Sequence, residues 1–113
     1  MTRSTQDVVA SHLAAVIDGD VAAMAADYAD DAILERLGDV YRGQSAIADY
    51  FASVPQRLGT ARVVFDAVDT NGDSVTFSWH LEGAASRVSG TDVCRVVGGA
   101  IVHQVVHLDV ADF

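Results

Sequence analysis

Asp92 is the residue whose type and surroundings most clearly suit proton exchange or ligand binding. It lies in an alternating segment over residues 88–97, which is typical of a β-strand. Because neighbouring side chains of a strand point to opposite faces, Asp92 shares a face with Gly90, Cys94 and Val96. Desolvation among apolar neighbours raises the pKa of a carboxyl group by up to about 3–5 units. We therefore expect a proton-exchanging or ligand-anchoring group here.

The position of Arg36 decides between two roles for Asp92. Leu34 and Arg36 share one face of a short strand predicted around Ala32-Ile33-Leu34-Glu35, so Glu35 points away. A close arginine lowers a carboxyl pKa by about 1–3 units. If Arg36 contacts Asp92, the ionised pair binds or positions a ligand; if Arg36 turns away, Asp92 stays neutral and donates a proton. A purely structural ion pair is the competing interpretation.

Four histidines are further candidates. His12 lies on the apolar stripe of the first predicted helix and could exchange protons near neutral pH, although a satisfied core histidine is the more common outcome. His103 and His107 share one strand face, and His80 lies on another strand. No cysteine or carboxylate completes a recognisable ligand spacing with them, so we expect no metal site.

Aromatic residues mark the expected pocket wall. Trp79 alternates with Phe77 and Leu81, which places the three on one strand face, where Trp79 would stack on a flat or cyclic ligand. Simple core packing is the alternative. The remaining residues expected to contact a ligand are Tyr28, Leu34, Tyr50, Phe51, Cys94 and Gln104.

Three helices are predicted in the first half of the chain. Ser4 and Asp7 resemble a capping box for a helix over Thr5 to Asp18, and Asp20 caps a second. A third follows Gly43. The second helix carries an apolar stripe of Val21, Met24, Ala25 and Tyr28, and the third carries Ile47, Tyr50, Phe51 and Val54 before Pro55 and Gly59 stop it.

Alternating strands fill the second half. They lie around Val64 and Ala67 and over residues 75–81, 88–97 and 101–110, separated by turn signals at Asn71-Gly72, Gly83-Ala84-Ala85 and Gly98-Gly99. Helices followed by an antiparallel meander define an α+β domain. We expect one domain over residues 1–113, a conical α+β barrel with three N-terminal helices packed on a curved, mainly antiparallel sheet.

Three short sequence motifs resemble those of a known family: Asp18-Gly19-Asp20, Tyr28-Ala29-Asp30-Asp31-Ala32 and Tyr41-Arg42-Gly43-Gln44. With these motifs in this order, the chain resembles the SnoaL-like branch of the nuclear transport factor 2-like superfamily. That resemblance implies a conical fold that often dimerises through the outer sheet face. It also implies activities that include ketosteroid isomerase, polyketide cyclase and limonene epoxide hydrolase, as well as non-catalytic members.

The resemblance assigns roles by position. The isomerase base corresponds to Arg36, and its second carboxylic acid to Asp92; its two substrate-binding tyrosines correspond to His12 and to Phe51, which has Tyr50 beside it. The missing base favours a non-catalytic role. Epoxide hydrolysis would need a carboxylate, arginine, carboxylate cluster, for which Asp92 and Arg36 are the visible candidates.

The amino-acid composition limits the classes of partner and the cellular location that we expect for the protein. The formal net charge of −9 and the scattered arginines disfavour nucleic acid. No apolar run reaches the roughly 20 residues of a membrane helix, and the polar N-terminus lacks a signal segment, so a cytoplasmic location is expected. The chain has no lysine, as is typical of GC-rich bacterial genomes, so Schiff-base chemistry is excluded. Its single cysteine forms no internal disulfide.

The leading hypothesis is therefore a small-molecule enzyme. Asp92, assisted by Arg36 and His12, would polarise an oxygen of an apolar cyclic or polyketide-like substrate without a cofactor, since no phosphate-binding glycine loop is present. The alternative is a non-catalytic ligand-binding or dimerisation module of the same fold. We expect a homodimer because the outer sheet face is partly apolar, through Val93, Val97, Val105 and Val102.

Overall fold

The first helix begins and ends where its capping residues predict. The structure, a computed structural model, describes residues 3–84 and 87–109. Helix α1 spans Thr5–Asp18, and the Ser4 side chain accepts a hydrogen bond from the Asp7 backbone N–H at 3.1 Å. Gly19 ends the helix with a φ of 69°, a left-handed conformation that glycine adopts without strain.

The second helix is shorter than predicted. Helix α2 spans Val21–Ala26 and is capped by the Asp20 carboxylate, whereas Tyr28 opens strand β1, Tyr28–Arg36. The prediction that Tyr28 continues the stripe of α2 is therefore wrong. The backbone N–H of Ile101 donates to the Asp27 carbonyl at 2.8 Å, so pairing with a distant strand outweighs the local helical periodicity.

A short strand and a longer third helix follow. Strand β2, Asp39–Arg42, pairs with β1 and was not among the predicted strands. Helix α3 spans Gln44–Leu58, so it continues past Pro55, where a stop was predicted, and ends at the predicted Gly59. Pro55 lies in the last turns, where its missing N–H removes one hydrogen bond, and its carbonyl still accepts from Gly59 at 3.1 Å.

Four more strands complete the predicted meander. These are β3, Arg62–Asn71, β4, Ser74–Glu82, β5, Ser89–Val97, and β6, Ala100–Leu108. The strand order is β2-β1-β6-β5-β4-β3, and every pairing is antiparallel except that of β1 with β6. Ala85 of a predicted turn and Val110, the predicted end of the last strand, lie outside the described residues.

One face of this open sheet is covered by helices, which confirms the predicted α+β cone. Helix α1 packs against β3, β4 and β5, and α3 packs against β1 and β2. Alternation on β5 is as predicted: Asp92 and Cys94 are buried on the covered face, whereas Val97 is exposed on the other. No helix in the described part of the chain is long and apolar enough to cross a membrane. The enclosed side of the sheet is where a ligand site can form.

Candidate functional site

A cavity of about 810 Å³ lies between the helices and the covered face of the sheet. Its wall is mostly apolar, with side chains from both long helices and from β3, among them Leu13, Val16, Val54, Leu58, Val63 and Phe65. The polar or titratable groups buried in the wall are His12, Tyr50, Trp79, Asp92 and Gln104. An apolar wall with a few convergent polar groups is the usual form of a small-molecule site.

Most of the predicted site residues line this cavity. Those in the wall are Asp92, His12, Trp79, Tyr50, Phe51, Phe77 and Gln104.

Four predicted residues do not line the cavity. Tyr28, Leu34 and Cys94 are almost fully buried in the hydrophobic core and do not reach the cavity. Arg36 lines a separate, smaller pocket. A two-residue periodicity identifies the inward face of a strand, but it does not show which inward side chains reach the cavity.

Asp92 is held by two N–H donors. The Trp79 indole Nε1 donates to Oδ1 at 2.9 Å, and the Gln104 amide Nε2 donates to Oδ2 at 2.7 Å. Within the described residues no ion pair joins Asp92 to an arginine. Arg36 instead lies over the Tyr50 ring, with its Cζ 5.9 Å from the ring centroid. The geometry thus fits the alternative in which Arg36 turns away, and it forms no carboxylate, arginine, carboxylate cluster around Asp92.

The pKa of Asp92 reflects this setting. Burial raises the pKa to about 6, while the hydrogen bonds from Trp79 and Gln104, and the nearby His107, act in the opposite direction. A pKa near 6 leaves roughly ten ionised molecules for each protonated one at pH 7. The ionised form of Asp92 therefore predominates at pH 7, because the two N–H donors stabilise the carboxylate against the cost of burial.

Gly90 allows Trp79 to reach Asp92, a role that the sequence reasoning missed. Trp79 and Gly90 are direct neighbours on β4 and β5. A Cβ atom at Gly90 would lie 2.6 Å from Trp79 Cζ2, far closer than van der Waals contact allows. The indole therefore lies flat over the glycine backbone. A glycine inside a strand opposite a tryptophan was the available signal.

Behind the wall, a chain of hydrogen bonds fixes the Gln104 amide. The Tyr28 hydroxyl donates to Gln104 Oε1 and also lies 3.4 Å from His12 Nε2. Tyr28 thus orients the amide that donates to Asp92. Burial lowers the pKa of His12 to about 4, with the Asp27 carboxylate and the Met24 backbone acting in the opposite direction. His12 is consequently neutral at physiological pH.

Tyr50 supplies a second polar group in the wall. Its hydroxyl makes no hydrogen bond to any of the described residues, although the ring packs against Tyr41 and Phe51. Burial raises the pKa of Tyr50, the Asp92 charge adds to this, and the Arg36 and Arg57 guanidinium groups oppose it. The phenol therefore stays protonated and can donate a hydrogen bond to a ligand oxygen.

His80, His103 and His107 do not line the cavity. His103 Nε2 is 2.6 Å from Glu35 Oε2, and His80 Nδ1 is 2.8 Å from Asp66 Oδ2. Residues 3–84 and 87–109 contain no cluster of three or more histidine, cysteine or carboxylate side chains that could hold a metal ion.

Comparison with solved structures shows the same fold in several bacterial proteins. A proposed polyketide cyclase from Sinorhizobium meliloti superposes with a TM-score of 0.79 at 20% identity, covering 89% of this chain and 94% of that one. A proposed ketosteroid isomerase from Kribbella flavida gives 0.84 at 17% identity, covering 96% and 80%. TerC, co-crystallised with polyporic acid, gives 0.80 at 18% identity, covering 93% and 91%. At these identities the likeness establishes the fold alone.

Sequence comparison identifies the family. No curated protein sequence matches the chain significantly. The SnoaL-like domain family matches residues 9–104, which include α3, most of α1 and the positions of Trp79, Asp92 and Gln104. The chain belongs to the SnoaL-like domain family.

Proposed function

We propose that this protein catalyses proton transfer on a small, apolar cyclic or polyketide-like carbonyl compound, as an isomerase or cyclase, with Asp92 as the base. The observation that carries the proposal is a carboxylate only 6% exposed in the wall of an apolar cavity, with both oxygens held by N–H donors. A base with a pKa near the working pH is well suited to proton transfer.

Asp92 and Tyr50 have different roles in the proposed reaction. The Asp92 carboxylate removes a proton from the carbon next to the substrate carbonyl, and the electron pair of the C–H bond moves to give an enolate. The Tyr50 hydroxyl donates a hydrogen bond to the enolate oxygen, where the negative charge develops. In a substrate with a neighbouring C=C bond, return of the proton from Asp92 to the far carbon of the conjugated enolate completes an isomerisation. Attack of the enolate carbon on a second carbonyl of the same molecule closes a ring, and Asp92 returns its proton to the alkoxide that this attack forms.

Trp79, Phe51 and Phe77 select the substrate. Their rings in the wall favour flat or cyclic compounds, since aromatic surfaces bury large apolar areas with a preferred stacking geometry. The polyporic acid of the TerC crystals and the cyclase and isomerase descriptions of two neighbours support a ring-containing substrate. Neutral His12 acts with Tyr28 to hold Gln104 in place.

Hydrogen exchange tests this proposal before the substrate is known. The protein is incubated in D₂O with a panel of cyclic ketones and β-diketones, and deuterium at the α-carbon is followed by NMR. Catalysed exchange that is lost in Asp92→Asn and kept in Asp69→Asn, which removes an exposed carboxylate on β3, supports the proposal. Unchanged exchange in Asp92→Asn would remove Asp92 as the base.

A non-catalytic binding protein is the second candidate. The position that carries the base in the isomerases holds Arg36, which does not line the cavity. Tight binding of a cyclic ligand without exchange or turnover, weakened by Asp92→Asn, would favour this candidate.

A homodimer through the outer sheet face is part of the same proposal. Val97 is 49% exposed on that face, and Val93, Val102 and Val105 beside it are partly exposed. Covering these side chains with a second copy would remove apolar area from water.

A further inference from the structure

A second pocket, separate from the main cavity, surrounds the buried Arg36 side chain. It has a volume of about 340 Å³ and is lined by the end of β1, the turn at Leu37 and Gly38, and β6 from Val105 to Leu108. Val106 borders both this pocket and the main cavity, so its side chain stands between them. The two spaces can therefore hold different ligands.

Arg36 lacks a counter-charge within the part of the chain that the structure describes. It is only 7% exposed, its Nε has no hydrogen-bond partner, and no carboxylate lies within ion-pair distance. Arg3, Arg62 and Arg95, which are more exposed, each pair with a carboxylate. A buried charge is costly unless it is paired, and an arginine side chain stays positively charged.

The groups around Arg36 compensate the charge of its guanidinium group only in part. Its contact with the Tyr50 ring, at 5.9 Å, is near the outer limit of a cation–π interaction. Glu35, the carboxylate in the pocket wall, is engaged on the outer face, where its Oε2 lies 2.6 Å from His103 Nε2. The guanidinium group therefore lacks a charged partner, and it borders a space that an acceptor from outside the chain can enter.

We propose that this pocket binds a short-chain organic carboxylate, with Arg36 as its anchor. The planar guanidinium matches a carboxylate in a paired, two-point hydrogen bond. The rest of the wall includes Leu37, Val105, Val106 and Leu108, which favour an acid with an apolar tail over an inorganic anion. Binding in this pocket does not require the chemistry proposed for Asp92, although Arg36 also contacts the Tyr50 ring.

Titration with butyrate tests the assignment, with butyramide and phosphate as matched probes. We expect saturable butyrate binding to the ¹⁵N-labelled wild-type protein, with amide shifts at Gly38, Val105 and Leu108 and none at the Trp79 indole. Butyramide and phosphate should bind much more weakly. Arg36→Met should weaken butyrate binding by roughly 10- to 100-fold, the loss expected for a charge-assisted hydrogen bond.

Two further variants keep the test informative. Arg42→Met removes an exposed arginine from the neighbouring strand β2 and should leave butyrate binding unchanged. Arg36→Lys keeps the charge without the planar donor pair and should bind more weakly than wild type, even if Arg36→Met fails to fold. Equal binding to wild type and Arg36→Lys, equal binding of phosphate, shifts at the Trp79 indole, or no butyrate binding would each overturn the proposal.

Discussion

Replacing Trp79 with phenylalanine isolates one hydrogen bond to the proposed base. Trp79→Phe keeps an aromatic ring over Gly90 but removes the Nε1–H that donates to Asp92 Oδ1 at 2.9 Å. A hydrogen bond to a charged group contributes about 1.5–3 kcal/mol, and one pKa unit corresponds to about 1.4 kcal/mol. The loss should therefore raise the pKa of Asp92 by about 1–2 units.

The direction of this shift follows from which form the indole stabilises. The N–H group favours the ionised carboxylate, so its removal favours the protonated form and moves the pKa upward from about 6. Wild-type activity that depends on ionised Asp92 should fall as the pH drops through about 6. In Trp79→Phe the same fall should occur at a higher pH.

The measurement is a ¹³C NMR titration of aspartate side-chain carboxyl groups, with Asp92→Asn to identify the signal. Gln104→Leu is the matched variant, because it removes the donor to the other oxygen, Oδ2. Gln104→Leu should also raise the pKa of Asp92. A pKa of Asp92 that is unchanged or lower in both variants would refute the view that these donors hold the carboxylate ionised.

Three other predictions concern the surroundings of the site. Gly90→Ala should displace the Trp79 indole and lower exchange activity, as measured by Trp fluorescence and the exchange assay; an unmoved indole would contradict the close packing. The same change should lower stability, as measured by circular dichroism, because the new Cβ would lie 2.9 Å from the His107 backbone oxygen. Because the pKa of His12 lies at about 4 in the fold against 6.5 when exposed, its contribution to stability, about 3 kcal/mol, should be lost as the pH falls from 6.5 to about 4. Denaturant unfolding should show that slope in wild type and a flatter one in His12→Gln. Small-angle scattering should report a dimer for wild type and a monomer for Val97→Glu; a monomeric wild type would contradict the proposed interface.

The amino-acid sequence by itself determined most of the elements and the face on which Asp92 lies. Ser4, Asp20 and Gly19 act within one or two helical turns, so local rules placed the ends of α1 and the start of α2. Strand alternation is equally local, and it correctly placed Asp92 and Cys94 on the covered face of β5. The resemblance to a family likewise depended on short sequence motifs in a fixed order.

Tertiary structure alone decided which inward side chains meet. Tyr28 left the helical stripe because β6 pairs with β1, a contact between segments more than 70 residues apart. Arg36 and Asp92 share the covered face yet do not pair, because Val106 of β6 lies between them in the strand register. Trp79 and Gln104 instead reach the carboxylate from the strands on either side of it. Neither donor could be assigned from spacing along the chain, since register between strands and the depth of the cavity arise only when the sheet and helices pack together.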